Sequence, residues 1–188
     1  APVLTLPILN EEGQQQVIMS SSGPVVAHDA ALLTLPCLFD AQSEKTPDAV
    51  ALIYEDVHLS YGDLASRSNQ LARYLIDRGV GPDDVVGVLM DRSLDTVITL
   101  LGIIKSGAAY LPLDPEYPVQ RLGLMVAGVG PSFIMTTGSI EGALGPGLLS
   151  YWQEHAASLS PVSSLSSMDV LPERLLVDDA GFRDAVSD

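Results

Sequence analysis

The sequence predicts an α/β fold in which a mainly parallel sheet is covered by helices on both faces. Short apolar runs bounded by turn residues, such as 85–90 and 132–136, are too brief for helices and predict buried strands. Longer stretches with apolar residues every three or four positions lie between them and predict helices. Strands that alternate with helices form βαβ units, whose strands run parallel. Hydrophobic residues make up 47% of the 188 residues, enough for a sizeable core.

Residues 1–31 are interpreted as a linker, because proline, glycine and a run of serines interrupt any regular pattern. One short helix is predicted within it. Asn10 is its N-cap, and Glu11 and Glu12 lie in the first turn, where carboxylates favour the positive end of the helix dipole. The globular part of the chain is therefore expected to comprise residues 32–188.

The globular part begins with a helix and a hairpin. Residues 32–45 carry apolar side chains at helical spacing. The segment 49–54 is apolar and β-branched and predicts a strand, Glu55 and Asp56 form the turn, and 57–59 alternate as the returning strand.

A capped helix follows the hairpin. Ser60 suits the N-cap position, and Asp63 three residues later completes a capping-box arrangement. Leu64 begins an apolar face that continues along the helix, and Gly79 is expected to end it.

The next helix and strand meet at a glycine. Ser93 is expected to cap a helix whose last turn contains Lys105, where a cation favours the negative end of the dipole. Gly107 suits the left-handed conformation of a C-terminal cap. The small and apolar residues 109–111 predict a central strand that is buried on both faces.

Three prolines follow this strand. Pro112, Pro115 and Pro118 are expected to stop regular pairing, because proline lacks a backbone donor. Pro118 also suits the first turn of a helix that ends near Val129, and the strand 132–136 follows.

The tail from Gly138 onwards is predicted to be less regular, because it is rich in glycine, serine and small apolar residues. Within it we expect a helix at 148–159, a flexible loop at 160–169 and a short strand at 175–179.

Composition excludes several classes of partner. The formal net charge is −15, and Lys45 and Lys105 are the only lysines, which argues against nucleic-acid and anionic-membrane binding. The single cysteine, Cys37, permits no internal disulfide, is expected to be buried, and favours a cytoplasmic location. No apolar run approaches the roughly 20 residues that span a membrane. The chain begins at Ala1 and not at Met, which fits a chain cut from a longer polypeptide, although removal of an initial Met would also explain it.

No catalytic, cofactor-binding or metal-binding residue is predicted. His28, His58 and His155 lack the spacing of metal ligands. The segment 136–142, TTGSIEG, is similar to a phosphate-binding loop, but it has no lysine and Glu141 would place negative charge beside a phosphate. We therefore expect an ordinary turn at the end of a strand there.

The stretch 104–122, IKSGAAYLPLDPEYPVQRL, resembles the second core motif of nonribosomal peptide synthetase adenylation domains. Its matching positions are Lys105, Gly107, Ala109, Tyr110, Leu111, Pro112, Leu113, Asp114, Pro115, Tyr117, Pro118, Arg121 and Leu122. The segment LSYGDL resembles the first core motif, with matching positions at Leu59, Ser60, Tyr61, Asp63 and Leu64, where Asp63 replaces the usual glutamate. We expect both motifs to serve packing rather than ligand contact.

The resemblance implies the N-terminal part of the large subdomain of an adenylate-forming enzyme. It implies a parent protein that uses ATP and Mg²⁺ to convert an amino acid to an aminoacyl-AMP and loads it onto a carrier-protein phosphopantetheine. Residues 1–31 resemble the connector from a condensation domain. The implied partners are this upstream domain, the remainder of the adenylation domain and a downstream carrier domain. Because the family's phosphate loop and catalytic lysine lie downstream, this chain alone is expected to bind no cofactor and to be inactive.

Three alternatives remain open from the sequence. A fatty acyl- or aryl-CoA ligase of the same superfamily would share the fold. A non-catalytic α/β module could instead dock a synthetase partner, and its monodispersity and cooperative unfolding would distinguish it from a truncated domain. A flavodoxin-like domain could bind a small molecule beyond the carboxyl ends of its strands.

Overall fold

The computed structural model describes residues 10–21, 34–155, 173–177 and 186, and it divides the chain into two compact units, Ala1–Leu33 and Thr34–Asp188. The first unit contains helix α1 (Glu11–Ser21). The backbone N–H of Gly13 donates to Asn10 Oδ1 at 2.8 Å, so the predicted N-cap is confirmed.

The second unit alternates helices and strands as predicted. Its elements are α2 (Leu35–Lys45), β1 (Val50–Tyr54), β2 (Val57–Ser60), α3 (Tyr61–Asp77), β3 (Val85–Leu89), α4 (Leu94–Lys105), β4 (Ala109–Leu113), α5 (Val119–Val129), β5 (Phe133–Thr136), α6 (Gly138–His155) and β6 (Glu173–Leu176). No helix in these described segments is long and apolar enough to cross a membrane.

The main sheet has the order β4-β3-β5-β6, and each neighbouring pair is parallel. Val86 of β3 lies opposite Tyr110 of β4 on one side and Phe133 of β5 on the other. The order matches the first four strands of a flavodoxin-like doubly wound sheet. The predicted parallel α/β class is confirmed.

Side chains of each strand point alternately to the two faces of this sheet, and both faces are apolar. Helices therefore pack on both faces. Val86, Val88 and Met135 join one buried cluster with Leu75 of α3 and Ile103 of α4. The residues between them face the other side, where a second cluster joins strands β3, β4 and β5 to α5 and α6. Its buried members are Leu89, Leu113, Leu122, Val126, Ala127, Ile134, Ile140 and Leu148.

The hairpin of β1 and β2 is antiparallel, and Glu55 and Asp56 form its two-residue turn as predicted. Glu55 has φ 52°, the left-handed conformation that such turns require. The inner side of the hairpin packs through Leu59 on a small cluster with Leu64 of α3 and Ile98 of α4.

Two predictions about β4 are wrong. It lies at the edge of the described sheet rather than at its centre, and Tyr110 is 42% exposed. Pairing also continues through Pro112, which lies opposite Val88. The N–H of Ala109 points towards β3 and donates to the carbonyl oxygen of Asp84, directly before that strand. Successive backbone nitrogens of a strand point to opposite sides, so the nitrogen of Pro112, three residues later, points away from β3. An edge strand tolerates proline at such a position because no donor is needed there.

The tail from Gly138 is also more regular than predicted. Helix α6 runs from Gly138 to His155 and contains Pro146, whereas the sequence predicted a helix at 148–159. Buried contacts of Ile140 and Leu148 with the sheet outweigh the low helix propensity of the glycines and proline. The predicted loop at 160–169 and residues 178–179 of the predicted strand lie outside the described residues. Cys37, expected to be buried, is exposed on α2.

Thr136→Val should raise the free energy of unfolding by about 1 kcal/mol. The Thr136 side chain is fully buried, and its Oγ1 has no hydrogen-bond partner in the part of the chain that the structure describes. Valine keeps the branched shape and removes the unpaired hydroxyl, so the melting temperature should rise by about 2–4 °C. Thr96→Val is the control, because Thr96 Oγ1 contacts Ser93 Oγ and Asp91 O. Equal shifts for both variants would contradict the prediction.

Candidate functional site

The residues of the first motif lie where β2 passes into α3, and their contacts are structural. Leu59 and Leu64 are buried, 4% and 3% exposed. The N–H of Asp63 donates to Ser60 Oγ at 3.1 Å, and the Ser60 hydroxyl donates to Asp63 Oδ2 at 2.7 Å. The centre of the Tyr61 ring lies 5.9 Å from the centre of the Phe39 ring of α2. These contacts cap α3 and close the small cluster below the hairpin.

Lys105 opens the second motif and is more deeply engaged than a cation at a helix end. Its ammonium donates to Asp40 Oδ1 of α2 and to Asn69 Oδ1 of α3, each at 2.7 Å. It also lies 4.8 Å from the centre of the Phe39 ring. The Lys105 side chain is 6% exposed. This lysine therefore joins three helices rather than facing an open site.

Gly107 turns the chain from α4 into β4. Its φ of 91° is in the left-handed region, as predicted. A Cβ at this position would lie 3.4 Å from the ring of Pro82, so the turn is also close to its neighbours.

The strand residues of the second motif have unequal surroundings. Leu113 is buried in the cluster below α5, and Leu111 is half-buried beside it. Ala109, Tyr110 and Pro112 are exposed at the open edge.

The loop after β4 is held by Asp114. Its Oδ1 accepts from the Glu116 N–H at 2.9 Å, and its carbonyl accepts from the Tyr117 N–H at 3.0 Å. The Arg121 guanidinium lies 3.9 Å from the centre of the Tyr117 ring. Pro118 occupies the N-cap of α5 rather than its first turn, and Pro115 before it is half-buried.

A cleft of 720 Å³ lies at the carboxyl ends of β3 and β4, where parallel sheets usually bind ligands. Its lining includes the apolar side chains of Met90, Leu100 and Met125. Charged side chains of both signs line it as well, namely Asp91, Arg92, Asp114, Glu116 and Arg121. The sequence placed a ligand site beyond the carboxyl ends of the strands only in its flavodoxin-like alternative. It did not predict the lining residues, because they come from segments that meet only through the strand order.

The segment resembling a phosphate loop is part of a strand–helix junction. Thr136 ends β5, and α6 begins at Gly138. The Glu141 N–H donates to Thr137 O at 2.8 Å, and the hydroxyls of Thr137 and Ser139 lie 3.3 Å apart. Glu141 lies in the first turn of α6. A phosphate bound at the N-terminus of this helix would therefore lie close to a negatively charged carboxylate, which would repel it.

Metal ligands do not converge in the described segments. Within residues 10–21, 34–155, 173–177 and 186, no three histidine, cysteine, aspartate or glutamate side chains form a group that could hold a metal ion. His58 is exposed on β2.

Comparison with known proteins gives a consistent result. The sequence profile described as "AMP-binding enzyme" matches residues 39–185. Tyrocidine synthase 2 of Brevibacillus parabrevis is 41% identical over 121 residues, which are 64% of this chain and 3% of the relative. The dimodular nonribosomal peptide synthase of Bacillus subtilis (strain 168) is 48% identical over 102 residues, 54% of this chain and 4% of the relative. The chain therefore spans only a small part of each of these curated relatives.

Solved structures agree in fold. The nonribosomal peptide synthetase FmoA3, in an AMPPNP-bound form, aligns with a TM-score of 0.61 and 29% identity, covering 69% of this chain and 14% of that one. The N-terminal subdomain of Klebsiella oxytoca NpsA, in complex with 3-hydroxyanthranilyl-AMSN, aligns with a TM-score of 0.52 and 28% identity, covering 54% and 26%. The chain therefore belongs to the AMP-binding enzyme family, as part of an adenylation domain of the nonribosomal peptide synthetase type.

Proposed function

We propose that residues 32–188 are the N-terminal part of an adenylation domain whose parent protein activates an amino acid with ATP. In that reaction the amino-acid carboxylate attacks the α-phosphate, an aminoacyl-AMP forms and pyrophosphate leaves. A phosphopantetheine thiol of a carrier protein then attacks the acyl carbon, and AMP leaves. Residues 1–31 are proposed to be the connector from an upstream condensation domain.

The observation that carries this proposal is the family match over residues 39–185, which contains both core motifs. The curated relatives named above are peptide synthases, and FmoA3 has been solved with AMPPNP and with α-methyl-L-serine-AMP. The parallel sheet of this chain, with helices packed on both faces, supports the proposal that it forms the scaffold of such a domain.

We infer that the described residues do not hold ATP or Mg²⁺ by themselves. Lys105 is engaged with Asp40 and Asn69. Glu141 lies in the first turn of α6, within the segment that resembles a phosphate loop. In the described segments, no three or more histidine, cysteine, aspartate or glutamate side chains form a group that could hold a metal ion. We therefore assign this chain a scaffolding role and derive no chemical step from its residues.

The proposed partners are the remainder of the adenylation domain, an upstream condensation domain and a downstream carrier domain with its phosphopantetheine. A cytoplasmic location is proposed with them, because the reaction uses ATP and the chain has a single cysteine.

Amino-acid-dependent exchange of pyrophosphate into ATP tests the proposal. We expect no exchange above background from this chain, and exchange from a longer polypeptide of the same gene that includes the whole domain. Robust exchange by the 188-residue chain would contradict the scaffolding role. A longer polypeptide that activates no amino acid would contradict the proposed activity.

A second candidate is activation of an aryl acid, because NpsA has been solved with 3-hydroxyanthranilyl-AMSN and 3-hydroxybenzoyl-AMSN. The same exchange assay distinguishes the two when amino acids and hydroxylated benzoic acids are supplied separately. Exchange that depends on the benzoic acids alone would favour the second candidate.

A further inference from the structure

The first helix of the second compact unit, α2, has little apolar anchorage. Of its 11 residues only Ser43 is buried, and Leu35 and Leu38 are 57% and 52% exposed. Phe39 is partly buried against the cluster below the hairpin. An isolated helix of this length is unstable in water, so α2 remains helical only while it is docked.

A single cation supplies most of the polar anchorage of α2. The Lys105 ammonium, at the end of α4, binds Asp40 Oδ1 and lies over the Phe39 ring, which are both on α2. Its second acceptor, Asn69 Oδ1, belongs to α3 and stays in place if α2 moves. The Lys105 side chain is 6% exposed and the Asp40 side chain is 48% exposed, so water screens this ion pair less than a fully exposed pair but more than a buried one.

We propose that α2 is a detachable strap, and that Lys105 fastens it to α3 and α4. In the docked state the ammonium satisfies Asp40 and covers Phe39. In the open state α2 unfolds, Lys105 keeps Asn69 and gains water, and no charge is left buried without a partner. The open state is therefore accessible without unfolding of the parallel sheet, as expected for a local unfolding unit.

The position of the strap gives it a regulatory use. The second unit starts at Thr34, directly before α2, so α2 is its first element along the chain. Lys105 is two residues from Gly107, where the chain turns into β4. Release of the strap would thus change the support of the strand that leads to the cleft. This inference does not depend on the proposed function.

Hydrogen–deuterium exchange, read by mass spectrometry on this chain, tests the strap. The reporters are amides 38–45, which include Leu38 N–H bonded to Thr34 O at 3.1 Å, and the reference amides are those of β3. The variants are Asp40→Ala and Lys105→Met. Alanine is the better helix former at position 40, so faster exchange there cannot come from lost helix propensity. Methionine keeps most of the apolar stem of Lys105.

We expect amides 38–45 to exchange at least tenfold faster in both variants, while β3 exchange stays unchanged. Lys45→Met is the matched control, since it removes a lysine charge from α2 that is outside the contacts of Lys105, and it should change exchange less than twofold. If Lys105→Met fails to fold, Asp40→Ala decides alone, because Asp40 is 48% exposed. Unchanged α2 exchange in Asp40→Ala, or equal acceleration in α2 and β3, would overturn the proposal.

Discussion

Gly102→Val should lower the free energy of unfolding by about 3 kcal/mol. Gly102 lies on the face of α4 that packs against Leu71 of α3. A Cβ at this position would be 2.7 Å from Leu71 Cδ2, 2.8 Å from Cγ and 3.0 Å from Cβ. Leu71 is 3% exposed and belongs to the cluster between the helices and the sheet, so it has no room to retreat. Urea denaturation, with the slope compared between proteins, measures the loss.

The matched control for this substitution is Gly128→Val. Gly128 is also helical, on α5, but no atom lies within 4 Å of a Cβ built there. Its stability should change by less than about 0.5 kcal/mol, because valine and glycine differ little in helix propensity. Similar losses at both positions would show that backbone propensity, and not the contact between α3 and α4, sets the effect.

The local parts of this fold were predictable because their causes lie within a few residues. Ser60 and Asp63 are three positions apart and form the predicted cap. The apolar run at 85–90 produced strand β3, since five buried or half-buried residues in succession leave no polar face. Gly107 has the expected left-handed conformation.

The errors have non-local causes. Whether β4 is central or at an edge depends on strand order, which residues 109–111 do not encode, and Pro112 is tolerated only because of that order. Asp40 is 65 positions away from Lys105, so no local pattern could join them. The lining of the cleft likewise combines the ends of β3 and β4 with α4 and α5. The sequence did not predict these lining residues, because they come together only when several distant segments assemble.

Gly123→Ala should lower the free energy of unfolding by about 2 kcal/mol through the packing of α5 against α6. A Cβ at Gly123 would lie 2.5 Å from Tyr151 Cε1 and closer still to Cδ1. Tyr151 is half-buried, so its ring can shift partly but not freely. Thermal and urea unfolding should both report the loss, although alanine itself favours the helix by about 1 kcal/mol.

Two comparisons separate the steric contact from the helix propensity. Gly128→Ala, on the same helix with open space around its Cβ, should raise stability by up to about 1 kcal/mol. In the double variant Gly123→Ala with Tyr151→Ala, the added methyl no longer meets a ring. The two single losses should therefore sum to more than the double loss, by at least about 1 kcal/mol. Strict additivity would mean that Tyr151 is not the obstacle to a methyl group at position 123, although both helices pack through the buried side chains of their shared cluster.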